Sequence, residues 1–175
     1  MGAREQPMTI LETDRLVLRE LTTDDAPFIL ALVNDPAWIR FIGDKGVRTL
    51  DDARSYILAG PVALYRRHRF GLWLVEAKQQ GAIGMCGLIR RDTLDHVDIG
   101  FAFLPAYRGL GYAREAAAAT LAYGRQVIGL DRIVAIADPD NASSIGLLER
   151  IGLAFERKIR LVPDGPELSL FGLTF

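Results

Sequence analysis

The chain has 175 residues, of which 50% are hydrophobic and 25% are charged, a length and composition typical of one soluble globular domain spanning residues 1–175. Its formal net charge of -1 argues against a general nucleic-acid binder, because such proteins usually carry a basic excess. A single cysteine, Cys86, excludes an internal disulfide, and no apolar run approaches the ~20 residues that a membrane helix needs. We therefore expect a cytoplasmic protein without a nucleic-acid or membrane partner.

The first third of the chain predicts one strand followed by two helices. Residues 15–21 alternate between polar and apolar side chains, as a strand with one solvated face does. A helix starts in the segment 22–35, where threonines and aspartates precede apolar residues. Thr49 caps a second helix over 49–58, and Gly60-Pro61 weakens or ends it.

The rest of the chain alternates between strands and helices and ends in an antiparallel hairpin around the turn 163–165. The order βααβββαβαββ predicts an α/β domain with a mixed sheet. The remaining strands are expected at 70–77, 82–91, 96–104, 132–137, 154–162 and 167–175, and the remaining helices at 111–128 and 142–152.

Residues 106–117 read AYRGLGYAREAA and form a glycine-rich turn between an apolar strand and an alanine-rich helix. The first N–H groups of a helix have no intrahelical partner, and the helix dipole adds positive potential, so phosphate is the usual ligand there. Gly109 and Gly111 let the backbone approach a ligand closely, and Arg108 adds a charged fork. A plain turn that uses glycine only for its geometry is the alternative.

Two other phosphate-binding motifs fit this segment poorly. A dinucleotide fingerprint needs glycine or alanine where the chain has Arg114, and its ribose-binding acid follows a strand, whereas Asp131 precedes one. A P-loop needs Gly-Lys-Ser/Thr, which does not follow here.

Three segments together resemble the GNAT superfamily of N-acetyltransferases. RGLGYA (108–113) is similar to its Arg/Gln-x-x-Gly-x-Gly/Ala signature, and NASSIGLLERIGL (141–153) is similar to its Asn-x-x-Ser…Leu-Glu-Lys/Arg-x-Gly-Phe element. TDRLVLRELTTDDA (13–26) resembles the RimJ/RimL branch, named for enzymes that acetylate ribosomal-protein N-termini. The resemblance covers nearly the whole chain, with its elements in the family's order.

The resemblance implies a fold and a reaction. The fold is a mixed, mostly antiparallel sheet flanked by helices, in which one pair of strands splays apart to hold acyl-CoA. The reaction transfers an acetyl group from acetyl-CoA to a primary amine by direct nucleophilic attack, without a metal. The acceptor is a peptide N-terminus or a small molecule such as an amino-acid-like compound or an amine-bearing drug, and a homodimer is an open alternative to a monomer.

The resemblance also assigns residues to the cofactor. Backbone groups of Phe103 and Leu104 are candidates for contacts with the pantetheine arm, and Asn141 matches the asparagine that binds the same arm; its alternative is a turn or N-cap residue. The pyrophosphate is expected at the loop, through Arg108, Gly109, Leu110, Gly111, Tyr112 and Ala113.

Asp98 is the candidate general base, because it lies on the strand that leads to the loop and its apolar neighbours should raise its pKa. The alternatives are a solvated acid or an ion-pair partner of Arg90 or Arg91. His96 is a second candidate for the base, with a loop role as its alternative.

Ser144 is the candidate proton donor to the leaving thiolate, and it also fits the cofactor site. Many GNAT enzymes have a tyrosine seven residues after the asparagine, where this chain has Leu148. A cap of the helix is the alternative role for Ser144. Cys86 lies in an apolar strand and is expected to be inert core.

The resemblance implies that the N-terminal helices and the final hairpin form the walls of the site for the acceptor amine. Their apolar candidates are Trp38, Ile39, Phe41 and Ile42, and their acidic candidates are Asp35, Asp44, Asp51 and Asp52. A non-catalytic acyl-CoA-binding domain and a protein that binds another nucleotide at the same loop are the alternative functions.

Overall fold

The computed structural model describes residues 6–175, which form an eight-stranded sheet with helices on both faces. The spatial order of the strands is β1-β2-β3-β4-β5-β6-β8-β7. The strands are β1 (Thr9–Glu12), β2 (Leu16–Arg19), β3 (Leu72–Ala77), β4 (Gly81–Ile89), β5 (Asp98–Phe103), β6 (Arg132–Ala137), β7 (Ala154–Ile159) and β8 (Leu168–Thr174). The helices are α1 (Ala26–Val33), α2 (Pro36–Phe41), α3 (Leu50–Ile57), α4 (Ala63–His68), α5 (Tyr112–Tyr123) and α6 (Ala142–Arg150).

Every neighbouring pair of strands is antiparallel except β5 and β6, which run parallel. The predicted α/β fold with a mixed, mostly antiparallel sheet is therefore confirmed. The C-terminal hairpin is also antiparallel as expected, and its second strand, β8, lies between β6 and β7.

The two faces of the sheet bury two separate apolar clusters, because successive side chains of a strand point to opposite faces. One cluster packs α5 against the sheet and includes Trp73, Leu88 and Ala116. The other packs α1 and α3 against the opposite face and includes Ile29 and Met85. Each large apolar side chain that is fully buried contributes about 1.5–3 kcal/mol. Within residues 6–175, no helix is both long enough and apolar enough to cross a lipid bilayer.

Three elements at the N-terminal end differ from the sequence-based expectations. β1 was not predicted, because a four-residue strand is too short to show alternation. α2 was not predicted either, because the Asp35-Pro36 step reads as a helix end, whereas this proline takes the first helical position. Gly60-Pro61 does not end α3, because a turn of π-helix over Leu58–Val62 joins α3 to α4.

Candidate active site

The strands β5 and β6 separate soon after they meet. They are bridged at one residue pair, Asp98 with Val134, supported by a 3.0 Å hydrogen bond from the Val134 N–H to the Val97 carbonyl. The other edge of β5 pairs with β4 along its whole length, up to Phe103. A gap therefore opens along the second half of β5, as predicted for a splayed strand pair.

The hydrogen-bond pattern of β4 and β5 determines which backbone groups face this gap. The Leu104 N–H donates to the Ile83 carbonyl at 2.9 Å, and residues of an antiparallel strand alternate between pairing with a neighbour and pointing away from it. Leu104 and Ala102 thus bond to β4, whereas the N–H and C=O groups of Phe101 and Phe103 face the gap. The two Phe101 groups and the Phe103 N–H can pair with an amide-bearing ligand, whereas the Phe103 carbonyl already accepts from Arg108 Nε.

A cavity of about 570 Å³ lies at the gap. Its walls come from β5, from the glycine-rich loop and the start of α5, from α6, and from α1 and α2. The main lining residues are Leu32, Asp35, Trp38, Phe41, Ile42, Phe101, Ala102, Phe103, Tyr107, Arg108, Gly109, Gly111, Tyr112, Ala113, Arg114, Asn141, Ser143, Ser144, Leu147 and Arg150.

The glycine-rich loop presents unpaired donors to this cavity. Gly109 and Gly111 have φ of 74° and 84°, which L residues with a Cβ rarely adopt. The six consecutive backbone N–H groups from 109 to 114 donate to no acceptor within residues 6–175, and the first loop-to-helix bond runs from Glu115 to the Gly111 carbonyl. Because α5 starts at Tyr112, its positive end adds to these donors, and the arrangement suits a phosphate group.

The Arg108 side chain makes two hydrogen bonds within the protein. Its Nη2 donates to Asp35 Oδ2 at 2.6 Å, and its Nε donates to the Phe103 carbonyl at 3.0 Å. The guanidinium therefore links the start of α2 to the end of β5, and its contact with a phosphate stays a prediction. The sequence could not reveal a contact between residues 73 positions apart.

Leu104 and Leu110, two other residues predicted to contact the cofactor, have backbone groups that already bond within the protein. Both backbone groups of Leu104 already bond within the protein, the N–H to Ile83 and the carbonyl to Tyr107, so its expected contact with the pantetheine arm is not supported. The side chain of Leu110 is 54% exposed and its carbonyl accepts from Arg15, which leaves its N–H as its one open group. Phe101, which the sequence analysis did not name, faces the gap, whereas Leu104 does not.

Asn141 and Ser144 lie together at the start of α6, where both line the cavity. The Asn141 side-chain oxygen accepts from the Ser144 N–H at 3.2 Å, so Asn141 caps the helix. Its side-chain NH₂ makes no hydrogen bond to the described residues. Leu148, in the position of the tyrosine of many relatives, is buried in the core.

Asp98 lies apart from these groups, at the β4–β5–β6 junction. Its carboxylate is buried and accepts from Arg91 Nε at 3.0 Å, and it does not line the cavity. Burial raises the pKa of Asp98, and Arg91 opposes the shift. Asp98 and the cavity residue Ala102 share a face of β5, about 13 Å apart along the strand.

Two other titratable candidates, His96 and Cys86, lie outside the cavity. His96 lines a separate, smaller cavity of about 250 Å³ near Arg132 and Glu156. Cys86 is buried with its sulfur 3.4 Å from the Thr120 hydroxyl, and burial raises the pKa of its thiol to about 12. A thiol with this pKa is protonated at neutral pH, as expected of a core cysteine.

Comparison with known families identifies the family of the chain. A model of the acetyltransferase (GNAT) domain matches residues 15–154, which is most of the chain. The chain belongs to the GNAT acetyltransferase family. This confirms the resemblance seen in the sequence and the predicted class of enzyme, an acetyl-CoA-dependent N-acetyltransferase.

Individual relatives agree with this assignment. The chain is 32% identical over 155 residues to YoaA of Bacillus subtilis, an uncharacterized N-acetyltransferase, with 86% of each protein covered. A GNAT-family acetyltransferase from Bacillus anthracis has a similar structure, with a TM-score of 0.78, 26% identity, and coverage of 95% of this chain and 98% of that one.

RimL, a ribosomal L7/L12 alpha-N-protein acetyltransferase solved in complex with coenzyme A, is also similar in structure, with a TM-score of 0.82. The two share 16% identity over 95% of this chain and 98% of the RimL chain, so this likeness shows the fold alone. The fold is consistent with the RimJ/RimL branch that the N-terminal segment resembles.

Proposed function

We propose that the protein transfers an acetyl group from acetyl-CoA to a primary amine, a peptide N-terminus or a small molecule, by direct nucleophilic attack. The observation that carries this proposal is the run of six loop N–H groups without acceptors in the described chain, next to the gap beside β5. These donors would hold the diphosphate of acetyl-CoA.

The pantetheine arm would lie along the open edge of β5. Its two amides can pair with both backbone groups of Phe101 and with the N–H of Phe103, which have no neighbouring strand on that side. The Phe103 carbonyl already accepts from Arg108 Nε. Asn141 can donate its free side-chain NH₂ to the same arm. An extended ligand in this position would act as an additional strand, which explains why the gap needs backbone groups rather than particular side chains.

The transfer itself needs a proton acceptor and a proton donor. Most primary amines are protonated at pH 7, so the amine must first lose one proton to the solvent. Its nitrogen then attacks the thioester carbonyl, and a second proton leaves the nitrogen as the C–S bond breaks and the thiolate departs. We propose that Asp98 takes this proton through water, since its carboxylate does not line the cavity. Ser144 would donate to the departing thiolate, and a β5 N–H would stabilise the oxyanion.

The acceptor amine would enter between α1–α2 and β5. Three side chains predicted for this wall, Trp38, Phe41 and Ile42, line the cavity, whereas Ile39 does not. Asp35 is the buried carboxylate of the same wall, although Arg108 neutralises it. An acceptor with an apolar group next to its amine fits such a surface.

A non-catalytic acyl-CoA-binding protein is the second candidate. Two observations favour it: Leu148 stands in the core in place of a tyrosine, and Asp98 lies outside the cavity. Such a protein would bind acetyl-CoA without turning it over.

Thiol release from acetyl-CoA, measured against a panel of amines and N-terminal peptides, tests the proposal. We expect release that depends on the amine, and mass spectrometry should find the acetylated acceptor. Calorimetric titration with CoA, NAD and ATP separates the candidates further: tight CoA binding without turnover would support the non-catalytic candidate. Absence of CoA binding would overturn both.

A further inference from the structure

Arg15, in the turn between β1 and β2, lies against the glycine-rich loop. Its Nε donates to Glu115 Oε2 at 2.7 Å, and its Nη1 donates to the Leu110 carbonyl at 2.9 Å. Its guanidinium carbon also lies 4.4 Å from the centre of the Tyr112 ring. Three separate contacts thus fix the guanidinium beside the residues that start α5.

Two further hydrogen bonds fix the Glu115 carboxylate. Glu115 also accepts from the Thr13 hydroxyl at 2.6 Å and from the Arg15 N–H at 3.0 Å. Desolvation raises the pKa of Glu115, but these hydrogen bonds and the Arg15 charge lower it more, so the net direction is downward. Glu115 therefore stays ionised and keeps Arg15 in place.

One nitrogen of this guanidinium has no acceptor. Among residues 6–175, no carboxylate or carbonyl accepts from Arg15 Nη2, and the side chain is 45% exposed. A Cβ on Gly111 would lie 3.1 Å from this atom. The free N–H groups of Arg15 therefore sit next to the unpaired N–H groups of the loop.

We propose that Arg15 binds a phosphate of acetyl-CoA, with Nη2 donating to a phosphate oxygen of the nucleotide half. This inference rests on the proposed function, since it places that nucleotide at the loop. A guanidinium already held by Glu115 loses little side-chain entropy on binding, and it forms a charge-assisted hydrogen bond that a solvated lysine would make less well. Either the diphosphate or the 3′-phosphate can be the partner.

Three thioesters separate these possibilities: acetyl-CoA, S-acetyl-dephospho-CoA and S-acetylpantetheine. For Arg15→Gln we expect kcat/KM with acetyl-CoA to fall about tenfold, mainly through KM, because one hydrogen bond to a charged group is lost. With S-acetylpantetheine, which has no phosphate, wild type and variant should be equal. A loss that persists with S-acetyl-dephospho-CoA assigns the diphosphate, and one that disappears assigns the 3′-phosphate.

Two outcomes would overturn the proposal: an unchanged KM for acetyl-CoA, or an equal loss with S-acetylpantetheine, which would mean that Arg15 has only a structural role. Arg67→Gln, on an exposed residue of α4, is the matched control and should change none of these rates. Arg15→Lys should show a smaller loss than Arg15→Gln. Thermal unfolding confirms that each variant is folded.

Binding measurements keep this test separate from that of the proposed function. If wild type releases no thiol with any amine, acetyl transfer fails, yet calorimetry with CoA still compares wild type and Arg15→Gln. A dissociation constant for CoA that is about tenfold larger in the variant than in wild type would then support the phosphate contact. Equal dissociation constants would refute it.

Discussion

The two edges of β5 have opposite properties although they belong to the same six residues. Towards β4, the strand forms a continuous antiparallel ladder that ends with the bond between Leu104 and Ile83. Towards β6, it is bridged at Asp98 and then diverges, leaving Phe101 and Phe103 beside a cavity. One edge contributes to stability, and the other provides the candidate binding site.

This contrast shows how a site can be built from backbone instead of side chains. Buried N–H and C=O groups need partners, so an open strand edge inside a protein is stable only if water or a ligand satisfies it. The glycine-rich loop continues the same principle, with six more donors directed at the same cavity. Substitutions that alter these donors, or the groups around them, should therefore affect function more than stability.

The largest effect is expected at Asp98, the residue of β5 that is paired with both β4 and β6. Asp98→Asn should lower kcat by roughly 10²–10⁴, the range assigned to general base catalysis. Because burial raises its pKa, the acid limb of the pH–rate profile should lie above the ordinary value of ~3.9 and should vanish in the variant. Asp92→Asn, on an exposed residue, is the control, and an unchanged profile in Asp98→Asn would remove Asp98 from the mechanism.

The next largest effect is expected at Gly111. Gly111→Ala should weaken CoA binding about 30-fold, because a positive φ costs a residue with a Cβ about 1–2 kcal/mol and the new Cβ crowds Arg15. Gly109→Ala has a similar φ but nothing within 4 Å of its Cβ, so its effect should be smaller. Calorimetry with CoA measures both, and equal losses would argue against a role for Arg15 in the loop.

A smaller effect is expected at Ser144. Ser144→Ala removes one hydroxyl donor near the leaving thiolate, which should lower kcat about tenfold with little change in the KM for acetyl-CoA. Steady-state kinetics distinguish the two parameters. Ser143→Ala, on the neighbouring cavity residue, is the comparison, and a rate equal to wild type in Ser144→Ala would exclude the serine as a proton donor.

The smallest effect is expected at Asp35. Its pair with Arg108 is half exposed on the arginine side, so Asp35→Asn should lower the free energy of unfolding by about 1 kcal/mol. Denaturant unfolding measures this loss. Asp51→Asn should have no measurable effect, because the carboxylate that pairs with Arg54 is 92% exposed. A larger loss at Asp35 would mean that the link between α2 and β5 is structural.

The sequence predicted the parts of the site that depend on local chemistry. Gly109 and Gly111 indicated the loop by their spacing between a strand and a helix, and a cap was one of the two roles expected for Asn141. These features follow from the backbone needs of neighbouring residues, which a short stretch of sequence specifies. The hairpin of β7 and β8 was predictable for the same reason.

The features that the sequence did not predict depend on distant contacts or on register. Arg108 pairs with Asp35, and Arg15 with Glu115, across 73 and 100 positions of the chain. Which of Leu104 and Phe103 faces the gap depends on the pairing of β5 with β4, since a shift of one residue exchanges the two edges. The burial of Asp98 was expected from its apolar neighbours, but its position outside the cavity results from packing between strands.

Hydrogen exchange of the β5 and loop amides, measured with and without CoA, tests the central claim most directly. We expect CoA to slow exchange at Phe101, Phe103 and the loop amides from 109 to 113, while Gly100 and Ala102, already bonded to β4, stay unchanged. Equal protection of both sets, or none at the loop, would contradict the assignment of the open edge as the cofactor site.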